Sequence, residues 1–444
     1  MQSLFRTSLA ALQWFIAFAL FTLAWNLKDP HLLPYRQFET MALLIFGGLG
    51  IALAIRRMRG ISRTLCLSIL VAAMTLSLLG EFTCRYRKQA VLHAGLPAAP
   101  LLGQHFVVGY DSLDRQALRL LAGKGLVGGI FITQRNAAGR SAEELRQEIR
   151  ELQALRQTAG LPPLIVATDQ EGGVVSRLSP PLSRLPALAT LTTGSGIGAD
   201  LEARAEAYGK QQGEELAALG VTVNFSPVVD LKPLHADHLL DFHSLIGRRA
   251  ISSDPAMTAR VAQAYGRGLE AQGVRPTLKH FPGLGGVADD THHFSAVLDT
   301  PIAVLNARDW VPFKQVAAHS NALVMLGHVI LTKVDSENPV SFSRLVVQTI
   351  LRGAWKYEGV LITDDLTMGA AYKHGMCNAT VKALNAGVDL LLISYDYEKY
   401  YEVIYCAARA YEQGGFDLAM LERSRRRIAR LREPPAAMPG GNQP

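Results

Sequence analysis

One stretch of the chain concentrates side chains suited to acid–base chemistry. "KHFPGLGGVADDTHHF", at residues 279–294, holds a lysine, three histidines and two adjacent aspartates among its glycines. Asp290 and His292 have an Asp-x-His spacing, which puts both side chains on one side of an extended segment. A carboxylate beside an imidazole orients the ring and raises its basicity. The pair therefore predicts a general acid/base that works near neutral pH.

Two other interpretations of this stretch stay open at this point. Asp289, Asp290, His292 and His293 are all potential metal ligands, although the chain has no HExxH pattern, no cysteine cluster and no EF-hand loop. The segment could equally be a solvated loop without chemistry. We favour the acid/base pair and expect no metal.

Two strand-like runs end in further polar residues. "GVLITDD" (359–365) ends in two aspartates. Asp365 suits the N-cap of a following helix, whereas Asp364 would point into a pocket, where a carboxylate is costly unless it is solvated or used. In "PTLKHF" (276–281), Lys279 and His280 suit hydrogen bonding to ligand hydroxyls; the alternative is a surface lysine and a core histidine.

The elements that must position these residues form a repeating pattern. Eight short apolar runs alternate with helix-like segments such as 141–157 and 199–220, which predicts a parallel sheet covered on both faces. Eight such units favour an α/β fold, a (β/α)8 TIM-like barrel. The runs lie at 105–110, 128–133, 164–169, 221–226, 276–281, 322–328, 359–365 and 388–394.

A barrel of this kind carries its site at the carboxyl ends of the strands. Polar residues do cluster at these ends: Asp169, Glu171, Asp230, Lys279, His280, His328 and Asp364. For Asp230, hydrogen bonding within a loop and contact with a substrate are equally good interpretations. Gly172 and Gly173 suit a tight turn or the close approach of backbone to a ligand.

The first part of the chain has a different character. Three apolar stretches, at 7–27, 40–55 and 64–80, contain no charged residue. They predict three transmembrane helices, at about 7–27, 39–56 and 64–81. Residues 1–99 hold ten Lys/Arg against three Asp/Glu, and the remainder holds 35 of each. The net charge of +7 therefore belongs to the membrane anchor, and the neutral remainder argues against a nucleic-acid ligand.

Loop charges predict the orientation of the anchor. "RRMRGISR" (56–63) carries four arginines and should stay cytoplasmic, which puts everything after the third span outside; Arg85, Arg87 and Lys88 oppose this orientation. Cys377 and Cys406 could form a disulfide outside the cytoplasm or remain two buried thiols.

Beyond residue 100 the sequence resembles family 3 glycoside hydrolases, most of all their single-domain bacterial β-N-acetylhexosaminidase branch. The resemblance rests on eight blocks in order, among them "DQEGGVVSRL", "NFSPVVDL", "KHFPGLGGVADDTHHF" and "GVLITDDLTMGA". It implies a retaining double displacement with Asp364 as nucleophile and Asp290 with His292 as acid/base. It also implies that no cofactor is needed. The sugar-binding residues it implies are Asp169, Arg177, Arg249, Lys279 and His280, with His328 as an addition.

The resemblance leads us to expect release of terminal β-linked N-acetylglucosamine from peptidoglycan-derived or other envelope glycans. Other β-glycosidase activity, transfer to a phosphate or sugar acceptor, and an inactive membrane-bound glycan-binding protein are the alternatives. Two positions depart from the family pattern: Leu284 replaces a histidine and Val174 an arginine, and both could reshape the leaving-group side.

The predicted organisation has three parts. Residues 1–90 form a membrane anchor, residues 96–433 the catalytic barrel and residues 434–444 a disordered tail rich in proline and glycine. We expect a multi-pass protein of the bacterial inner membrane whose catalytic domain faces the periplasm or exterior.

Overall fold

The computed structural model describes residues 2–111, 114–193, 200–233, 245–287 and 296–434. The chain divides into two compact units, one up to Ala94 and one from Gly95 onward. The predicted tail, apart from Pro434, lies outside the described residues.

The first unit is a bundle of three helices, Gln2–Trp25, Glu39–Arg57 and Gly60–Gln89, with a short 3-10 helix at Pro30–Tyr35 and a π turn at Ala90–Ala94. Small and branched side chains such as Ala17, Leu43 and Leu70 pack between the helices. Large apolar side chains, including Phe15, Phe46 and Leu65, point outward and are more than half exposed. An apolar exterior of this kind suits lipid better than water.

Two helices in the described residues, rather than the predicted three, are long and apolar enough to cross a membrane: Glu39–Arg57 and Gly60–His93. The described apolar part of the first helix runs from Ala10 to Trp25. This stretch is one residue shorter than the roughly 17 residues that a span needs.

The two ends of this unit differ in their charged residues. At one end, Glu81 binds Lys28 at 3.0 Å, and Glu39 lies 3.7 Å from the same ammonium group. At the other end, the turn between the second and third helices exposes Arg56, Arg57, Arg59 and Arg63. The acids therefore offset bases at one end only.

The second unit is built on a closed barrel of eight parallel strands, each lying beside the strands that precede and follow it in sequence. All eight predicted strands, and the barrel itself, are confirmed. The strands are β1 Phe106–Gly109, β2 Gly129–Ile132, β3 Ile165–Thr168, β4 Val223–Asn224, β5 Arg275–Phe281, β6 Leu323–Leu326, β7 Leu361–Asp365 and β8 Leu390–Ile393.

Helices surround the barrel. Glu144 and Ser141 form a capping box at the start of Ala142–Thr158. Gly220 ends Leu201–Leu219 in a left-handed conformation at φ 93°. The other α-helices of the second unit are Ala99–Gly103, Arg115–Gly123, Gln134–Ala137, Ile246–Arg249, Pro255–Glu270, Ile302–Ala307, Trp310–Ala318, Gly369–Tyr372, Met376–Ala386, Lys399–Glu412 and Leu418–Arg432. Leu345–Ala354 is a π helix, and Leu188–Thr192 and Val340–Phe342 are 3-10 helices.

Two small sheets accompany the barrel. Gln170–Gly172 pairs antiparallel with Val175–Ser176, and Ala296–Leu298 pairs parallel with Val329–Leu331. Apolar side chains fill the barrel interior, where the rings of Phe131 and Phe225 stack 5.5 Å apart. The barrel is therefore a packed support, and polar chemistry is confined to its ends.

Two further contacts tie the end of the chain to the barrel. Arg275, at the amino end of β5, donates hydrogen bonds to three carbonyls at the end of the C-terminal helix. Cys377 and Cys406 form a disulfide between the helices Met376–Ala386 and Lys399–Glu412, with a Cα–Cα distance of 5.5 Å. Of the two states that the sequence left open, the structure has the disulfide.

Candidate active site

Lys279 lies in the carboxyl half of β5, and its side chain is 2 % exposed. Its ammonium group donates to Asp169, which follows β3, at 2.6 Å, and lies 2.6 Å from Oε1 of Glu171. The two carboxylates offset the cost of burying the lysine charge. The resulting cluster joins β5 to the segment after β3.

Arg249 binds the other side of Glu171. Its Nη2 donates to Oε1 at 2.7 Å and its Nε to Oε2 at 3.0 Å, the paired geometry that fixes a guanidinium in one plane. Burial alone would raise the pKa of Glu171, but the charges of Arg249 and Lys279 lower it to about 2. Glu171 is thus held ionised between two cations.

Glu171 is the residue that sequence reasoning located but did not assign. The sequence does carry a signal for it: Glu171 lies two residues after Asp169 at the same strand end, and a glycine follows it directly. Gly172 adopts φ 90°, and a Cβ atom there would lie 2.0 Å from the hydroxyl of Tyr208. The glycine therefore serves a close approach of backbone to protein side chains, and its turn places Glu171 beneath the cations.

Asp230 is fully buried and binds both the end of β5 and the turn that follows it. Its Oδ2 accepts from His280 Nδ1 at 2.7 Å and from the His280 backbone N–H at 3.0 Å, and its Oδ1 accepts from the Leu284 N–H at 2.7 Å. Because a carboxylate only accepts, His280 carries its proton on Nδ1 and presents Nε2 on its other side, 3.4 Å from Arg249. Of the two interpretations of Asp230, these bonds support the structural one.

Asp364 lies at the carboxyl end of β7 and is half-buried, as expected of a carboxylate at a barrel mouth. Its Oδ1 accepts the backbone N–H of Asp365 at 2.8 Å. Asp365 itself is saturated: its carboxylate accepts from Thr367, Ser394 and Tyr395. Asp365 therefore stabilises the turns after β7 and β8, and the next helix begins only at Gly369.

His328, which follows β6, is buried with both ring nitrogens bonded to protein. Nε2 lies 2.9 Å from the carbonyl of Asp365, so it must donate, and Nδ1 then accepts from the Ser341 hydroxyl at 2.7 Å. Burial lowers the pKa of His328, and the nearby Asp364 charge opposes that shift. The neutral ring thus supports the backbone beside Asp364.

Of the other residues that the sequence singled out, some are described by the structure and some are not. Arg177 is exposed, and its backbone N–H donates to the Asp169 carbonyl at 3.1 Å. Asp290 and His292 lie outside the described residues, so their role stays a prediction. Leu284 is buried at the start of the loop that carries them, whereas Val174 is 44 % exposed.

The metal-site alternative can be compared with the described residues. Within the part of the chain that the structure describes, no group of three or more His, Cys, Asp and Glu side chains is placed to hold a metal ion. The four residues of the metal alternative, at 289, 290, 292 and 293, fall in the gap between 287 and 296.

A closed (β/α)8 barrel with buried cations, carboxylates and histidines at the carboxyl ends of its strands has the architecture of barrel enzymes. Residues 103–431 match the profile of the glycosyl hydrolase family 3 N terminal domain. The chain belongs to glycosyl hydrolase family 3, and it is a glycosidase.

Curated relatives and solved structures agree with this assignment. A Beta-hexosaminidase of Stenotrophomonas maltophilia is 36 % identical over 273 residues, which is 61 % of this chain and 76 % of the relative. The structure of a family 3 beta-N-acetylglucosaminidase from Paenibacillus superposes with a TM-score of 0.67 at 31 % identity, covering 76 % of this chain and 62 % of that one. The Beta-N-acetylhexosaminidase from Beutenbergia cavernae gives 0.68 at 27 % identity, covering 77 % and 99 %.

Proposed function

We propose that this glycosidase releases terminal β-linked N-acetylglucosamine from glycans of the cell envelope. The observation that carries the proposal is the position of Asp364 at the end of β7, in a ring of strand ends that also holds Lys279. Arg249, at the end of the helix Ile246–Arg249, is joined to this cluster through Glu171. The names of the relatives support the identity of the sugar, and the match of "DQEGGVVSRL" and "KHFPG" to the family supports the binding residues.

The proposed reaction has two displacements. The Asp364 carboxylate attacks the anomeric carbon while His292, oriented by Asp290, protonates the departing oxygen. This forms a covalent glycosyl–enzyme ester and frees the leaving group as an alcohol. His292 then removes a proton from water, which attacks the same carbon and releases the Asp364 carboxylate, so that configuration is retained overall.

The hydroxyl groups of the bound sugar need hydrogen-bond donors and acceptors that are held in fixed positions. Lys279 supplies ammonium protons, and Asp169 supplies a partly exposed carboxylate beside it. His280 presents Nε2 because Asp230 occupies its Nδ1. Since Glu171 and Asp230 are buried and hold these groups in place, little reorganisation is needed when the sugar binds.

We further propose that the first unit anchors the enzyme in the inner membrane with the barrel outside the cytoplasm. The two long apolar helices and the outward apolar side chains support an anchor. The four exposed arginines at 56–63, in the short turn between two long apolar helices, suit the cytoplasmic side, while Arg85, Arg87 and Lys88 oppose this orientation. The Cys377–Cys406 disulfide fits a barrel in an oxidising compartment.

A substrate panel tests the activity. Full-length protein in detergent would be assayed with 4-nitrophenyl β-glycosides of N-acetylglucosamine, N-acetylgalactosamine and glucose, beside Asp364→Ala and the surface control Glu202→Gln. We expect N-acetylglucosaminide to be the best substrate for the wild type and the control, with no turnover by Asp364→Ala. Preference for glucoside, or no turnover of any substrate by well-folded wild type, would refute the proposal.

Orientation is tested separately with reporters fused after Gly95. An alkaline phosphatase fusion should be active and a fluorescent protein that matures only in the cytoplasm should stay dark. The opposite pattern would place the barrel inside the cell and leave the glycosidase proposal untouched.

A further inference from the structure

A cavity of about 780 Å³ lies at the amino end of the barrel. Its walls come from the start of β5, from residues 317–322 before β6, from residues 354–360 before β7 and from residues 427–434 at the end of the C-terminal helix. Because the eight strands are parallel, these walls lie at the opposite end of the barrel from Lys279 and Asp364. None of the described residues expected to bind the sugar lines the cavity, and its volume suits a ligand of the size of a sugar or a nucleotide.

Positive charge predominates in the lining of this cavity. Its cations are Arg275, Lys314, Lys356, Arg427 and Arg430. Its carboxylates are Glu358 and Glu433. Glu358 lies 3.9 Å from Arg427, which also donates to the buried Asp389 at 2.9 Å. With both glutamates ionised, the lining therefore has a formal charge of +3, from five cations and two carboxylates.

Three of these cations have no carboxylate partner. Among the described residues, no carboxylate oxygen lies within 4.0 Å of Lys314, Lys356 or Arg430. Arg426, on the same helix as Arg430, does have such a partner in Glu422, at 3.2 Å. Lys314 donates to the side-chain carbonyl of Asn306, but a neutral amide does not offset its charge. The charge of these three side chains is therefore available to a ligand.

Arg275 is a buried cation in the same lining, at 7 % exposure. Its Nε and Nη2 donate to the carbonyls of Arg430, Leu431 and Glu433, and its Nη1 has no hydrogen-bond partner among the described residues. Burial lowers the pKa of Arg275, because the nearby Glu270 and Glu433 offset the loss of hydration only in part. An anion in the cavity would stabilise this buried charge further.

An aromatic side chain lies beside these charges. The ring of Trp355 is half-buried and packs edge to face with Phe281 and Trp310, at centroid distances of 5.4 and 5.5 Å. Lys314 Nζ lies 5.2 Å from the centre of the same ring. These contacts fix the orientation of Trp355, and the rest of its surface lines the cavity. The apolar part of a ligand can pack there while its charge reaches the cations.

We propose that this cavity is a second binding site, which takes an organic phosphate with its organic part beside Trp355. A phosphomonoester matches the lining better than a carboxylate does, since it carries close to two negative charges near neutral pH and three acceptor oxygens. Lysine binds phosphate as a point charge, and arginine binds it through paired hydrogen bonds. Soluble phosphorylated metabolites and lipid headgroups share this chemistry. The site is separate from the candidate active site and does not depend on the proposed function.

Calorimetry with the full-length protein in detergent measures binding of glucose 6-phosphate, dihexanoyl phosphatidic acid and inorganic phosphate. In the wild type, one of the two esters should bind about tenfold more tightly than inorganic phosphate. The double variant Lys356→Gln/Arg430→Gln should bind the ester about tenfold more weakly or worse, because two unpaired charges are lost. Both side chains are exposed, so the variant should fold. Trp355→Leu should bring the affinity for the ester close to that for inorganic phosphate.

A matched double variant, Arg119→Gln/Arg426→Gln, removes two exposed arginines that are paired with Glu151 and Glu422, and it should bind like the wild type. Binding of glucose 6-phosphate that only the cavity variant loses supports a site for a soluble metabolite, and the same loss with the lipid alone supports a site for a headgroup. The proposal is overturned if neither ester binds up to about 10 mM, if inorganic phosphate binds as tightly as the esters, or if both double variants have the same affinity.

Discussion

Glu171 and Arg249 are joined by two parallel hydrogen bonds, of 2.7 and 3.0 Å, although they are 78 residues apart in sequence. Both side chains are nearly inaccessible, at 6 % and 10 % exposure. The same carboxylate lies 2.6 Å from Lys279. One buried anion therefore orients two of the cations expected to bind the sugar.

Replacement of Glu171 by Gln should impair substrate binding. The amide keeps the shape but removes the charge, so Arg249 and Lys279 lose their shared anion, at a cost of about 3 kcal/mol in the free energy of unfolding. We expect kcat/KM to fall on the order of 100-fold, mainly through KM, because the cations hold the sugar in both the ground and transition states. Steady-state kinetics and thermal unfolding measure the two effects.

The control for this variant is Glu202→Gln, which breaks the exposed 2.7 Å pair with Arg260. Exposed pairs contribute about 1 kcal/mol or less, so activity should be unchanged. Kinetics of Glu171→Gln equal to those of the control would show that the carboxylate does not position the binding cations.

The role of Asp364 can be tested by chemical rescue. Asp364→Gly should lower kcat on the order of 10⁴-fold, because no carboxylate remains to form the covalent intermediate. Azide can enter the vacated space and attack the anomeric carbon once, so the product should be the α-glycosyl azide, identified by NMR. A β-glycosyl azide, or wild-type turnover without azide, would contradict the assignment of Asp364 as nucleophile.

The disulfide gives a test of stability and of compartment. The disulfide joins Cys377 to Cys406, 29 residues apart, and so restricts the unfolded chain. We expect it to raise the free energy of unfolding of the barrel by about 3 kcal/mol. Cys377→Ser and reduction of the wild type should lower the melting temperature of the purified full chain by similar amounts. Alkylation of intact cells before lysis should leave this pair unlabelled, and quantitative labelling would argue for a barrel in a reducing compartment.

Acid should destabilise the barrel through His105. Burial lowers the pKa of His105 to about 4, and its Nε2 has no partner among the described residues. Because the folded pKa lies below the ordinary value of about 6.5, the unfolded chain takes up the proton first. Stability is therefore complete above about pH 6.5 and declines as the pH falls toward 4, with about 2 kcal/mol lost between pH 7.5 and 5.0.

The measurement is denaturant unfolding at both pH values for wild type and His105→Asn. Asn preserves a donor to the Asp389 carbonyl, which His105 Nδ1 contacts at 2.9 Å, but does not titrate. The variant should lose less stability on acidification than wild type, whereas the exposed control His319→Asn should behave as wild type. An unchanged pH dependence in His105→Asn would exclude His105 as the source.

The sequence alone determined the barrel and the positions of its polar strand ends. Continuous apolar runs such as those around Ile130 and Leu391 can only be buried on both faces, and their alternation with amphipathic helices leaves few folds. Lys279, His280 and Asp364 could be assigned to the mouth for the same reason.

Only the tertiary structure decided which of these side chains meet. Whether Glu171 binds Arg249, and whether Asp230 binds His280 or faces the pocket, depends on the register of strands and on turns such as the one at Gly172. Cys377 and Cys406 come together through the packing of two helices. Local sequence sets each element through burial and backbone preference, whereas contacts between distant side chains depend on how the finished elements pack.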